Sequence, residues 1–186
     1  MRRISSVLAL LLCVVAGGAR ADEWMDFARS QIEPMACNVY HEARGEPRLG
    51  QMMVAYVTLM RAKANRSMWG GSTILGVVFK RGQFSWTYDS SKTCNLPKGN
   101  AREQASEIAT IVALGFFKPP GDLLVDALYY MNPTTADPKQ RCLMATHFRQ
   151  VGVVGNQYFY SEEPAWLVPS RFGCNLSQFV PTVPTS

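Results

Sequence analysis

Apolar residues recur at helical spacing through the first two thirds of the chain. In "DEWMDFARS", Trp24, Phe27 and Ala28 share one side, which predicts a short helix over 22–30. Pro34 suits the first position of the next helix, where Met35, Ala36, Val39, Tyr40 and Ala43 mark the buried face. Gly45 is the natural residue to end it, and Pro47 starts another. Leu49, Met52, Met53, Tyr56, Val57 and Met60 then form an apolar stripe that ends near Ala64. Thr73 to Phe79 reads as a short helix capped by Ser72. "QFSWTYDSSKTCNLPKG" is a polar and aromatic loop. Asn100 with Glu103 gives a capping box for a further helix that buries Ala101, Ala105, Ile108, Ala109, Val112 and Phe116. Pro119, Pro120 and Gly121 end it.

The pattern then changes. "DALYYMNP" is rich in β-formers and stops at a proline. "THFRQVGVVGNQYFYS" has two β-like runs around Gly155-Asn156, which predicts a hairpin. The tail "FVPTVPTS" has no periodicity. With no internal repeat or linker, the chain reads as one α+β domain, mostly helical, with a small antiparallel β element.

The first residues belong to a different category. Arg2 and Arg3 precede an apolar run, Val7 to Val15, too short to span a bilayer, and Ala19-Arg20-Ala21 offers a cleavage site. Residues 1–21 are therefore expected to be a secretory signal, removed together with Cys13. A retained anchor is the alternative. The domain is then 22–186, with 22–34 as an N-terminal extension and 176–186 as a loose tail. No later segment is apolar enough for a membrane. The expected location is the periplasm or cell envelope. The net charge of +5 includes Arg2, Arg3 and Arg20, so the exported chain is less basic than the whole sequence. It has no basic tract to indicate nucleic acid.

Cys37, Cys94, Cys142 and Cys174 remain, an even number that favours two disulfides in an exported chain. Three pairings are possible. Cys94 with Cys142 is the expected one, because both lie in segments placed near the cleft. Cys37 and His41 stand one helical turn apart, as zinc ligands can, but the other cysteines come singly, and no metal or cofactor is called for.

"YHEARGEPRLGQ" places two carboxylates four residues apart across a helix break. Glu42 falls in the last turn, where the helix carries partial negative charge. Repulsion from Glu46 and partial burial act in the same direction, and all three raise a carboxyl pKa. A carboxyl protonated near neutral pH is what a general acid requires. Pro47 biases Glu46 away from helical geometry. The competing reading is a solvated helix end with Arg44 paired to one glutamate. A zinc protease is excluded by Gly45, which stands where H-E-x-x-H needs its second histidine. No G-x-S-x-G elbow supports a serine hydrolase.

"EARGEPRLGQMMVAYVTLMR" resembles the opening signature of the cell wall hydrolase family typified by the spore cortex-lytic enzyme. "GQFSWT" resembles that family's second motif, and "ALYYMNP" and "VGVVGNQYFY" its closing segments. The resemblance runs from about Cys37 to Tyr160. It implies a lysozyme-like domain that cleaves peptidoglycan glycan strands as a lytic transglycosylase, with Glu42 as the catalytic acid. Glu46 is expected to assist, and Asp89 is the other candidate second carboxylate. Gln83, Ser85, Tyr130 and Asn132 are candidates to hydrogen-bond the sugars. Phe84, Trp86, Tyr158 and Tyr160 are candidates to stack on them, against a core-packing role for each. The expected state is a monomer whose partner is the glycan strand. Two positions depart from the family pattern: Met60, where it has asparagine, and Gln157, where it has histidine. The rival readings are a muramidase that uses water and an inactive wall-binding module.

Overall fold

The computed structural model of the protein describes residues 20–88, 94–122 and 124–162. Residues 1–19, which hold most of the expected signal segment, Asp89, Cys174 and the tail lie outside them. A helix over 20–27 passes through a π-helical turn, Ala28–Ile32, into α1, Glu33–Ala43. The break expected before Pro34 is absent: the chain enters α1 through the π-helical turn, where the Glu33 amide donates to the Ala28 carbonyl, and Pro34 follows in the first α-helical turn. The remaining helices are α2, Arg48–Ala64, α3, Ile74–Val78, α4, Asn100–Ala113, and α5, Pro138–His147.

α2 is buried on more than the expected stripe. Met53 and Val57 face one apolar cluster, with Leu124, Ala127, Val151 and Phe159. Ala55 and Ala62 face another, with Met35, Val39, Ile108 and Val112. The helix is thus sandwiched between α1 and α4 on one side and the sheet on the other. Met60 is only half buried and stands outside both clusters. Asn65 ends α2 in the left-handed region, φ 50°.

Three antiparallel strands, β1 (Tyr129–Met131), β2 (Phe148–Val154) and β3 (Gln157–Glu162), lie in the order β1-β3-β2. The hairpin turns at Gly155-Asn156, as its sequence predicts. A bulge between Gln150 and Gly152 interrupts the β2–β3 register. Among the described residues no helix is long and apolar enough to cross a membrane. The α+β expectation, mostly helical with a small antiparallel sheet, holds.

Several local expectations do not. Thr73, rather than Ser72, caps α3 through its hydroxyl, which accepts from the Gly76 amide. Asn100 is the first residue of α4, with Gly99 at the cap position and no side-chain cap. Ala101 and Phe116, both expected on the buried face, are exposed, Phe116 beyond the helix end. α5 was not expected at all, although Asp137 caps it and Pro138 occupies its first turn. The disulfide is Cys37–Cys94, with Cα atoms 6.0 Å apart, which overturns the Cys94–Cys142 pairing. It ties α1 to the loop that precedes α4, and it removes the free thiolate that a Cys37–His41 zinc site needs. Cys142 is also disulfide-bonded.

Phe159 is fully buried where the sheet meets α2. Phe159→Ala should cost about 3–5 kcal/mol of stability, as buried aromatic truncations do. Chemical denaturation measures this directly.

Candidate active site

The break between α1 and α2 opens into a cleft of about 720 Å³. One wall is the end of α1 and the turn after it, including His41, Glu42, Arg44, Gly45 and Glu46. The segment 82–88 forms a second wall, and the β1 end with the start of α5 forms a third. Gly45 shows no left-handed conformation. Arg44 is the C-cap, and the Glu46 amide donates to the Ala43 carbonyl at 2.9 Å, which turns the chain sharply.

Glu42 is held in the last turn of α1, partly buried, and burial raises its pKa. Two neighbours oppose that rise, first the Tyr130 hydroxyl and then the charge of Arg61. Tyr130 is kept neutral by its own burial, with its pKa well above the usual phenol value. Its hydroxyl is buried and faces Glu42 and Asn38, but meets neither with ordinary hydrogen-bond geometry. Asn38, one turn before Glu42, is fully buried. It donates to Thr58 Oγ1 at 3.1 Å and accepts from Trp86 Nε1 at 3.2 Å. This locks the last turns of α1 against α2 and the loop.

Arg61 lies beneath the site at 7 % exposure, and its Nε donates to the Leu128 carbonyl at 2.8 Å. It also donates to Gln83 Oε1 at 3.1 Å, and the rings of Tyr129, Phe84 and Trp69 surround it. A buried guanidinium without a bonded carboxylate is costly. Here carbonyl acceptors, aromatic faces and the nearby Glu42 offset that cost. No sequence periodicity marks Arg61. The only signal was a cation on the inward side of a helix.

Glu46 points elsewhere. Its Oε2 accepts from the Asn156 backbone amide at 2.8 Å, and its Oε1 from Asn156 Nδ2 at 3.4 Å. Its backbone carbonyl accepts from the buried amide of Gln51 at 2.9 Å. The second glutamate thus clamps the hairpin turn to the α1–α2 junction. Gly155 is required there twice. It adopts φ +60°, and a Cβ would collide with the Glu46 carboxylate and sit 2.7 Å from Pro47 Cδ. The raised pKa of Glu42 is carried by its own burial rather than by Glu46.

The other sequence candidates divide. Gln83, Phe84, Ser85, Tyr130 and Asn132 line the cleft; Trp86, Tyr158 and Tyr160 do not. Gln83 is held by Arg61 and by the Met68 carbonyl. The Asn132 side-chain oxygen is spent on the Thr134 amide and hydroxyl, fixing the turn after β1. Phe84 belongs mainly to the core. Trp86 stacks on His41 at 4.5 Å and bonds Asn38, so it braces the wall. Tyr158 and Tyr160 pack with Met131 and Met144 on the side of the sheet away from α2. His41, Arg44, Tyr88, Thr135, Gln140 and Gln157 line the cleft without having been singled out as contacts.

The Cell Wall Hydrolase family model matches residues 45–160, more than half of the chain and beginning just after Glu42. The spore cortex-lytic enzyme of Oceanobacillus iheyensis is 37% identical over 110 residues, 59% of this chain and 35% of that protein. The Bacillus cereus spore cortex-lytic enzyme is 35% identical over 113 residues, 61% of this chain and 39% of that one. The chain thus spans little more than a third of the length of these relatives. The crystal structure of the catalytic domain of the Bacillus cereus SleB protein superposes with a TM-score of 0.53 at 32% identity. That likeness covers 70% of this chain and 89% of that one. The chain belongs to the cell wall hydrolase family.

Because Glu46 acts as a clamp, Glu46→Gln, which keeps one of the two oxygens that accept from Asn156, should leave the alkaline limb of the pH–activity profile in place. Gly155→Ala should instead lower stability by more than about 1 kcal/mol, since alanine is strained at positive φ. A pH–rate series and a thermal melt check the pair.

Proposed function

We propose that the chain cleaves peptidoglycan glycan strands between N-acetylmuramic acid and N-acetylglucosamine, as a lytic transglycosylase that leaves 1,6-anhydro ends. The observation that carries this reading is a single carboxyl with a raised pKa, buried at the edge of an open cleft in a cell wall hydrolase fold. The names of the relatives and the expected signal segment support an exported protein acting on the wall.

In this cycle, protonated Glu42 donates its proton to the glycosidic oxygen as the C1–O bond breaks and the muramic acid ring gains oxocarbenium character. The Glu42 carboxylate formed at that moment is the state that the Tyr130 hydroxyl and Arg61 favour. Arg61 is in place before reaction, and the Tyr130 hydroxyl, buried beside Glu42, has only to close on the carboxylate, so both stabilise charge where it develops. The carboxylate then takes the proton of the muramic acid 6-hydroxyl as its oxygen closes onto C1. The proton returns to Glu42, and no water is consumed.

A hydrolase of the two-carboxylate type needs its second group free to act across the sugar. Among the described residues the cleft carboxylates are Glu42 and Glu46, and Glu46 is engaged by Asn156. Glu46 so engaged does not suit that role, and Asp89, the other expected second carboxylate, lies outside the described residues.

Glu42→Gln should reduce glycan cleavage by about a hundred- to ten-thousand-fold. The wild-type digest should carry anhydro ends. Reducing ends would mean a muramidase, and no release a binding module; mass spectrometry of digested peptidoglycan separates the three. The folded protein holds the Glu42 proton more tightly than the unfolded chain. The stability linked to that proton is complete below the ordinary glutamate range and is lost as pH rises through the raised value. Glu42→Gln cannot ionise, so it should be the more stable protein at alkaline pH.

A further inference from the structure

His41 and Arg44 flank Glu42 on the cleft wall, and both are exposed, so a ligand can reach them. Among the described residues neither side chain makes a hydrogen bond or an ion pair, and Arg44 is thus paired with neither glutamate. Both are nonetheless braced. The Arg44 guanidinium lies over the Tyr40 ring, 5.1 Å from its centre. Tyr40 meets His41 at 5.4 Å with the rings nearly perpendicular, and His41 stacks on Trp86 at 4.5 Å. Trp86 is fixed in turn by Asn38. A row of rings therefore presents a guanidinium and an imidazole, one helical turn apart, beside the reacting carboxyl. A helix C-terminus favours cations, but that attraction acts all round its last turn. It does not explain why both groups face the cleft with their donors unspent.

We infer that Arg44 binds a carboxylate carried by the lactyl or peptide substituents of the strand and makes the enzyme favour strands that keep that charge. The inference rests on the glycan-binding reading of the cleft. The N-acetylated sugars of the backbone are neutral. Negative charge enters the polymer at carboxylates, on the lactyl group of muramic acid or on the stem peptide attached to it. A guanidinium meets a carboxylate with two parallel N–H···O bonds, which a neutral amide cannot match. The protein's own carboxyls leave Arg44 available: Glu42 is held towards its protonated form by burial, and Glu46 is engaged by Asn156. Burial and the charge of Arg44 lower the His41 pKa, so near neutral pH its ring adds an N–H donor beside Arg44 rather than a second charge.

The test measures affinity in the Glu42→Gln background, where no turnover intervenes. The probes are peptide-bearing strands and strands stripped of peptide to the bare lactyl group, each with its carboxylates free or chemically amidated. The Glu42→Gln protein should bind the free-carboxylate form about two- to fivefold more tightly, as a partly exposed ion pair gives. High salt should remove the difference. Adding Arg44→Gln should abolish the preference and leave affinity for amidated strands unchanged. Arg44→Lys, which keeps the charge without the planar fork, should restore part of it. A preference on stripped strands assigns the carboxylate to the lactyl group, and one confined to peptide-bearing strands assigns it to the stem. No preference on either, a preference that survives Arg44→Gln, or an equal loss on free and amidated strands would overturn the inference. Failure of the functional reading gives a different result: wild type would release nothing from peptidoglycan, while the charge preference in binding would stand.

Discussion

Burial of one ionisable carboxyl organises this structure. Glu42 must lose water to hold its proton, and it loses it because the last turn of α1 is pressed between α2, the 82–88 segment and β1. That pressing depends on Asn38, a buried polar residue that spends its amide on Thr58 and Trp86. It depends as well on Arg61, a buried cation satisfied by carbonyls and rings rather than by a bonded carboxylate. Buried groups of this kind are costly unless every partner is in place. They therefore fix the relative placement of α1, α2 and the loop more sharply than apolar contacts alone.

The two glutamates of "EARGE" have separated duties, and the helix break separates them. α1 stops at Ala43, the chain turns, and α2 starts after Pro47. Had the helix continued, both carboxylates would share one face and repel across one turn. Instead Glu42 stays at the cleft with Tyr130 and Arg61, while Glu46 reaches a residue 110 positions away and fastens the hairpin. The cleft geometry thus depends on a contact between the opening signature and the closing segment of the family pattern.

Much of the fold was legible where local pattern decides it. The inner faces of α1 and α4, the restart at Pro47 and the Gly155-Asn156 hairpin follow from spacing and turn chemistry. α5 escaped notice because its residues mix polar and apolar without a clear stripe, although Asp137-Pro138 is a helix start. Long-range facts were the least legible. The Cys37–Cys94 pairing is one of several that the count allows, and the Glu46–Asn156 clamp joins segments far apart in sequence. Gln157 showed only as a departure from a family pattern, and its buried, unpaired oxygen is visible only in three dimensions. Trp86, Tyr158 and Tyr160 show the converse: aromatic residues near a cleft motif whose rings serve packing.

The most direct measurement is the titration of Glu42 itself. Carbon-13 labelling of the glutamate side-chain carboxyls, followed by NMR across pH in wild type and in Glu42→Gln, isolates one signal by its disappearance. That signal should titrate above the ordinary glutamate value of about 4.3. If it titrates in the ordinary range, burial does not hold Glu42 as an acid, and the proposed cycle has lost its proton donor.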